Sequence, residues 1–293
     1  MSGIVSGINY SLLFSSDSSS VLDASASILN TLYSGASTAT APTTFVSSGN
    51  PLTDLKLAQA DQTADVAKEA QQPQVSQAIT AFKTAVAHAT TIQQALANPD
   101  VQQVLLTANG LTNYIGQTAL VQKVLLADPA DPKSLVNQLG DSTLLSTVQA
   151  YNFGTKGLAE LQNPNVISTL TSAYAEVEWR QSLNLATPGL SNALDFLGQA
   201  SSIKSVNDVL DNYTNFEVIT TALGIPQDIV YQDQSAQESA IASRVDFSKF
   251  SDPSYVTSLT DQYLLTMQEQ NSTSTSDSTS LTALAVQAGG LIA

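Results

Sequence analysis

Apolar residues recur through the middle of this chain with the period of an α-helix. Val121, Val124 and Leu125, preceded by Tyr114, form one stripe, and Val166, Leu170, Ala173 and Val177 form another. Leu190, Ala193, Leu194 and Leu197 keep the spacing, as do Val256, Leu259, Tyr263 and Met267. Positions three and four apart share one face of a helix, so each stripe predicts a helix with one buried side. No segment alternates apolar and polar residues convincingly, so no sheet is expected.

The punctuation agrees with the period. Asp131-Pro132, Asn163-Pro164 and Asp252-Pro253 each set a capping side chain before a proline suited to the first helical position. Gly110 and Gly224 follow apolar runs and can supply the left-handed residue that ends a helix. Sliding the chain against itself by about 114 residues lays Thr91–Leu111 on Ser205–Ile225 without a gap. Ile92 then meets Val206, Leu96 meets Leu210, Asn98 meets Asn212, Val104 meets Val218 and Gly110 meets Gly224. Each copy opens with a capping-box pair, Thr91 with Gln94 and Ser205 with Asp208. The expected fold class is all-α: an irregular multi-helix bundle with an internal two-fold sequence repeat and flexible termini. Its core spans 51–268, with repeat units at about 91–152 and 205–268.

The two ends read differently from the core. Residues 1–50 are dominated by Ser, Thr and Ala, and bury too little apolar surface to offset the entropy of ordering. Within them Ile4, Ile8 and Leu12, then Val21, Leu22, Ile28, Leu29 and Leu32, recur at helical spacing, as in an amphipathic helix awaiting a partner. Residues 269–293 comprise a polar spacer, Asn271 to Ser280, and an apolar tail with Leu284, Leu291 and Ile292. The residues expected to carry interactions are Ile4, Ile8, Leu12, Ile28, Leu29, Leu32, Leu284, Leu291 and Ile292.

Charge narrows the range of partners. Ten basic residues against twenty-five acidic ones leave a net charge of −15, which repels phosphate backbones and anionic bilayers. Nucleic acid is therefore not expected as a partner. Neither is membrane insertion, since no window has the apolar length of a span. The start, MSGIVSGINYSLLFSS, lacks the positive region of a cleaved signal peptide. Cys is absent, which removes disulfides and thiolate chemistry together.

Candidate chemistry is sparse. His88, the single histidine, lies in an Ala- and Thr-rich run without a nucleophile or orienting group in sequence, so a structural or surface duty is expected. Asp128, Asp131 and Asp141 are close enough to be weighed as a hard-metal site, but Pro129, Pro132 and Ser142 beside them point to turns and caps. Glu176, Glu178 and Arg180 flank Trp179 and read as a solvated face with the indole packed inward. No catalytic, cofactor-binding or metal-ligating residue is assigned, and no small-molecule substrate is expected.

The segments SVNDVLDNYTNFEVITTALGIP, VLLADPADPKSLVNQLGD, NVISTLTSAYAEVEWRQS and SRVDFSKFSDPSYVTSLTDQYLLTM carry a resemblance. They resemble the alphaproteobacterial domain of unknown function found in proteins encoded among flagellar genes and sometimes labelled basal-body-rod-like. The likeness runs over roughly residues 50–268 and rests on helix starts, stops and apolar positions. It implies an all-helical protein connected with the flagellum, without catalytic residues to transfer. The expected function is a non-enzymatic structural or assembly role in a flagellum or related surface appendage, with export that needs no cleaved signal peptide. Other copies of the chain and appendage proteins would be its partners. The alternative is a cytoplasmic helical adaptor or export chaperone that binds partner helices.

Overall fold

The computed structural model describes residues 45–289, with side chains to residue 272. Among these residues all regular structure is helical. They form two compact units, one of residues 62–181 and one of residues 45–61 with 182–289.

The first unit takes the later part of α1 (Pro51–Glu69) and α10 (Pro164–Ala186) up to Gln181. Between them come α2 (Pro73–His88), α3 (Ile92–Ala97), α4 (Pro99–Ala108), α5 (Thr118–Leu125), α6 (Leu135–Leu139), α7 (Ser142–Tyr151), α8 (Phe153–Lys156) and α9 (Leu158–Leu161). α2 packs on α4, α3 on α5, and α5 on α7. Phe82, Leu96, Leu105, Leu125, Phe153, Leu161 and Leu170 fill the interior between them.

The second unit contains α11 (Leu190–Gln199), α12 (Val206–Leu210), α13 (Tyr213–Ala222), α14 (Gln234–Ala242) and α15 (Pro253–Gly289). α11, α13 and α15 pack mutually. Phe196, Val218, Ile219, Phe250, Tyr263 and Leu264 are buried among them. The rings of Phe196 and Phe250 meet edge to face at 6.3 Å, a favoured aromatic geometry.

The caps read from the sequence hold the helix ends. Thr91 Oγ1 accepts from Gln94 N at 3.1 Å, and Ser205 Oγ accepts from Asp208 N at 3.4 Å. Only the second pair closes a full capping box, because Gln94 bonds Thr90 N instead of reaching the cap itself. Asn98 and Asn212 cap α4 and α13. Both helices end alike: Gly110 (φ 71°) and Gly224 (φ 62°) are left-handed, and Leu111 N and Ile225 N each reach back five residues at 2.8 Å to Leu106 O and Thr220 O.

Asp252-Pro253 opens the longest described helix, with Asp252 Oδ1 accepting from Ser254 N at 2.9 Å. Asn163-Pro164 likewise opens α10. Asp131-Pro132 opens none, which corrects its reading as a helix start. Asp131 instead accepts from Lys133 N in a turn that Asn137 Nδ2 locks by donating to Pro129 O and Asp131 O. Asn and Asp side chains satisfy a turn as readily as a helix end, and here the turn wins.

The helix around Trp179 also departs from expectation. Trp179 is fully buried, but Arg180 is buried too and Glu178 is half-buried. Tyr174, Ala175, Val177, Trp179 and Leu183 bury α10 on more than one side, so its charges cannot all reach water. Arg180 Nε and Nη2 therefore clasp Glu176 Oε1 at 3.1 and 3.0 Å.

α15 keeps helical backbone through Asn271–Ser280 to Gly289, where the sequence indicated a polar spacer. Extending a formed helix fixes one residue per added bond, and Ser272 Oγ joins by donating to Gln268 O at 2.8 Å. Among the described residues no helix is long and apolar enough to cross a membrane.

Candidate functional site

Two grooves flank α2 in the first unit, and both arise from its composition. Val75, Phe82 and Val86 turn into the core, and the remaining faces carry mostly Ser, Thr, Ala and Gln, too short to fill the space beside a neighbouring helix. One groove, about 780 Å³, follows α2 from Pro73 through Thr80 and Thr84 to His88 and meets Asn98 and Asp100. The other, about 650 Å³, lies between α1, α2 and α10. Its apolar lining is Val66, Ala67, Ala70, Ile79 and Ala175, with Lys83 and Glu176 as its charged groups. Volumes of this order suit a short helix or a small ligand.

Several carboxyls have a displaced proton affinity. In the first unit burial pushes Glu178 up, against a hydrogen bond with Tyr174 that lowers it, and nearby Glu69 adds to the rise. Burial also pushes the Tyr174 hydroxyl up, reinforced by Glu178. Asp141 caps α7 and accepts from Tyr114 Oη at 2.9 Å; burial, then this acceptor, pushes Tyr114 up to about 12. Asp128 and Asp131 hold turns through Ala130 N and Lys133 N, so the three aspartates act as local backbone acceptors.

In the second unit three helices meet at Glu217. Tyr263 Oη donates to its Oε1 at 3.2 Å and Asn192 Nδ2 to its Oε2 at 2.9 Å. Burial raises the Glu217 carboxyl, and the hydrogen bonds from Tyr263 and Tyr213 only partly offset that. A raised acid binds its proton more tightly in the folded chain than in the unfolded one. Its contribution is fully present below the unfolded value near 4.3 and is lost as pH rises through the folded value. In Glu217→Gln, the slope of unfolding free energy against pH above about 4 is expected to be shallower than in the parent. Urea titrations at several pH values measure it, and identical slopes would refute the assignment.

Glu178 is taken up by a tyrosine partner, and Glu217 by tyrosine and amide partners. This arrangement ties helices together through hydrogen bonds. Of the residues expected to interact, Ile4, Ile8, Leu12, Ile28, Leu29, Leu32, Leu291 and Ile292 lie outside the described residues. Leu284 falls on α15. His88 is exposed at the end of α2, on the wall of the larger groove.

Residues 108–256, about half of the chain, match the family model described as a protein of unknown function, DUF1217. The chain belongs to this family. The DUF1217 match takes in α5 to α14 with Asn192 and Glu217, and leaves α1, α2, α3, nearly all of α4 and most of α15, Tyr263 included, outside. The crystal structure of an Agrobacterium tumefaciens protein has a similar fold, with a TM-score of 0.57 over 75% of this chain and 93% of that one at 22% identity. No curated protein matches the chain.

The grooves were not read from the sequence. Their signal was the Ser76, Thr80, Thr84 and Ala81, Ala85 spacing on α2, which by itself reads only as a weakly apolar face.

Proposed function

We propose that this DUF1217 protein is a non-enzymatic structural or assembly component of a bacterial flagellum or related surface appendage, self-associating through its apolar termini. The observation that carries the reading is α15. After Leu264 its burial runs out, residues 268–272 are all exposed, and the helical backbone nevertheless continues to Gly289 with Leu284 upon it. About 21 residues of helix extend roughly 30 Å, a length that pairs with a helix of another molecule. The sequence resemblance supplies the flagellar connection. The grooves beside α2, lined by short polar and apolar side chains, support a binding role.

Deleting residues 1–44 and 269–293 together is expected to abolish oligomers in light scattering and to impair motility in the host. An unchanged assembly state with normal motility would overturn the proposal. The grooves beside α2 favour a second reading, a cytoplasmic adaptor for partner helices. Cell fractionation separates the two, since only the first needs the chain outside the cytoplasm.

A further inference from the structure

We infer that the N-terminal segment, residues 1–44, docks into the groove between α1, α2 and α10 of its own chain. The inference rests on the reading of that segment as an amphipathic binding arm, and gives the unassembled chain a place to hold it. The groove has the make-up of a helix receptor. Val66, Ala67, Ala70, Ile79 and Ala175 form its apolar lining, and Ser76 and Thr80 are short enough to let another backbone come close. The segment offers the matching anchors, since Val21, Leu22, Ile28, Leu29 and Leu32 recur at helical spacing.

Charge points the same way. Lys83 stands on the groove wall, exposed, in a chain of net charge −15, and it makes no ion pair or hydrogen bond among the described residues. Glu176, the acid on the same wall, is already engaged by Arg180. The segment 1–44 contains Asp17 and Asp23 as its charged side chains and has no Lys, Arg or His. An acidic arm beside a free cation gains attraction that a basic peptide would not.

The covalent connection reaches. The arm ends at Thr44, six residues before α1, and Ser47 and Ser48 fold back onto Asp54 in the first turn of that helix; along α1 the groove residues begin about 17 Å and end about 29 Å from Pro51. Residues 33–44, if extended, span about 40 Å. That length brings the stretch from Val21 to Leu32 to the groove without help from a second molecule. A tether this short gives an effective concentration on the order of 1 mM, which exceeds ordinary protein concentrations and favours the arm of the same chain.

Hydrogen exchange read by mass spectrometry on the full chain and on a chain lacking residues 1–44 tests this directly. With a local dissociation constant of about 0.1 mM, amides of residues 62–83 and 171–176 should exchange about tenfold more slowly in the full chain. The ratio should be the same after tenfold dilution. Lys83→Glu in the full chain should reduce it about two- to fivefold, and because Lys83 is exposed this variant folds even where the truncated chain does not. Exchange unaffected by both changes would overturn the inference, and so would protection that fades on dilution, which assigns the groove to a second copy's arm. Oligomers without groove protection refute only this inference. Protection in a chain that stays monomeric under assembly conditions refutes only the assembly role.

Discussion

Replacing Gly189 by alanine should destabilise the second unit by about 2–5 kcal/mol and pull Tyr263 away from Glu217. Gly189 links α10 to α11 with φ at +82°, a conformation that costs an L residue about 1–2 kcal/mol. A Cβ placed there would lie 2.8 Å from Tyr263 Oη and 3.0 Å from two ring carbons. Tyr263 is fully buried on α15, so the ring cannot swing aside without disturbing its neighbours, and overpacking of this kind costs about 1–3 kcal/mol more. Urea unfolding gives the loss. Tyr263→Phe isolates the hydroxyl, whose removal should cost only about 1 kcal/mol. If Gly189→Ala lost no more than Tyr263→Phe, the close approach would not be what fixes glycine there.

The second large effect is expected at Asp54, a carboxylate sealed from solvent near the start of α1. Ser47 Oγ and Thr187 Oγ1 donate to its Oδ2 at 2.5 and 2.6 Å, and Ser48 N donates to Oδ1 at 2.7 Å. One side chain thus fastens the segment before α1 to the turn after α10, both within the second unit. Asp54→Ala leaves three donors without their acceptor, and a loss of about 3 kcal/mol is expected at neutral pH. Burial by itself would raise the carboxyl, but the hydrogen bonds from Ser47, Thr187 and Ser48 outweigh it and hold the pKa below the usual range. A lowered acid stabilises the fold above its unfolded value near 3.9 and loses that contribution as pH falls through the folded value. The gap between Asp54→Ala and the parent should therefore narrow only in strong acid, opposite in sign to the behaviour expected at Glu217. A gap that closed between pH 5 and 7 would show that the carboxylate charge is not what holds this joint.

The two clusters show how unevenly the sequence reveals its own structure. Thr91, Ser205, Gly110 and Gly224 act within a few residues of where they stand, so their roles were legible from neighbours alone. Asp54 acts on Thr187, 133 positions away, and Glu217 on Tyr263, 46 away. No local pattern marks such a partner. The error at Asp131 has the same root, because the choice between turn and helix start was made by Asn137. At Arg180 a charge suggested water, and the several buried faces of α10 required a partner in its place.

By itself, the sequence determined that this protein is helical, where several of its helices start or stop, and some of the residues that face inward. Those outcomes depend on propensity, capping and a 3.6-residue period, all properties of short stretches of chain. Only the tertiary structure decided the division into two units, the grooves beside α2, the burial of Arg180 and the partners of Asp54 and Glu217. Each of these depends on which distant surfaces are brought together, and burial, proton affinity and open space belong to that assembly of surfaces rather than to any one segment.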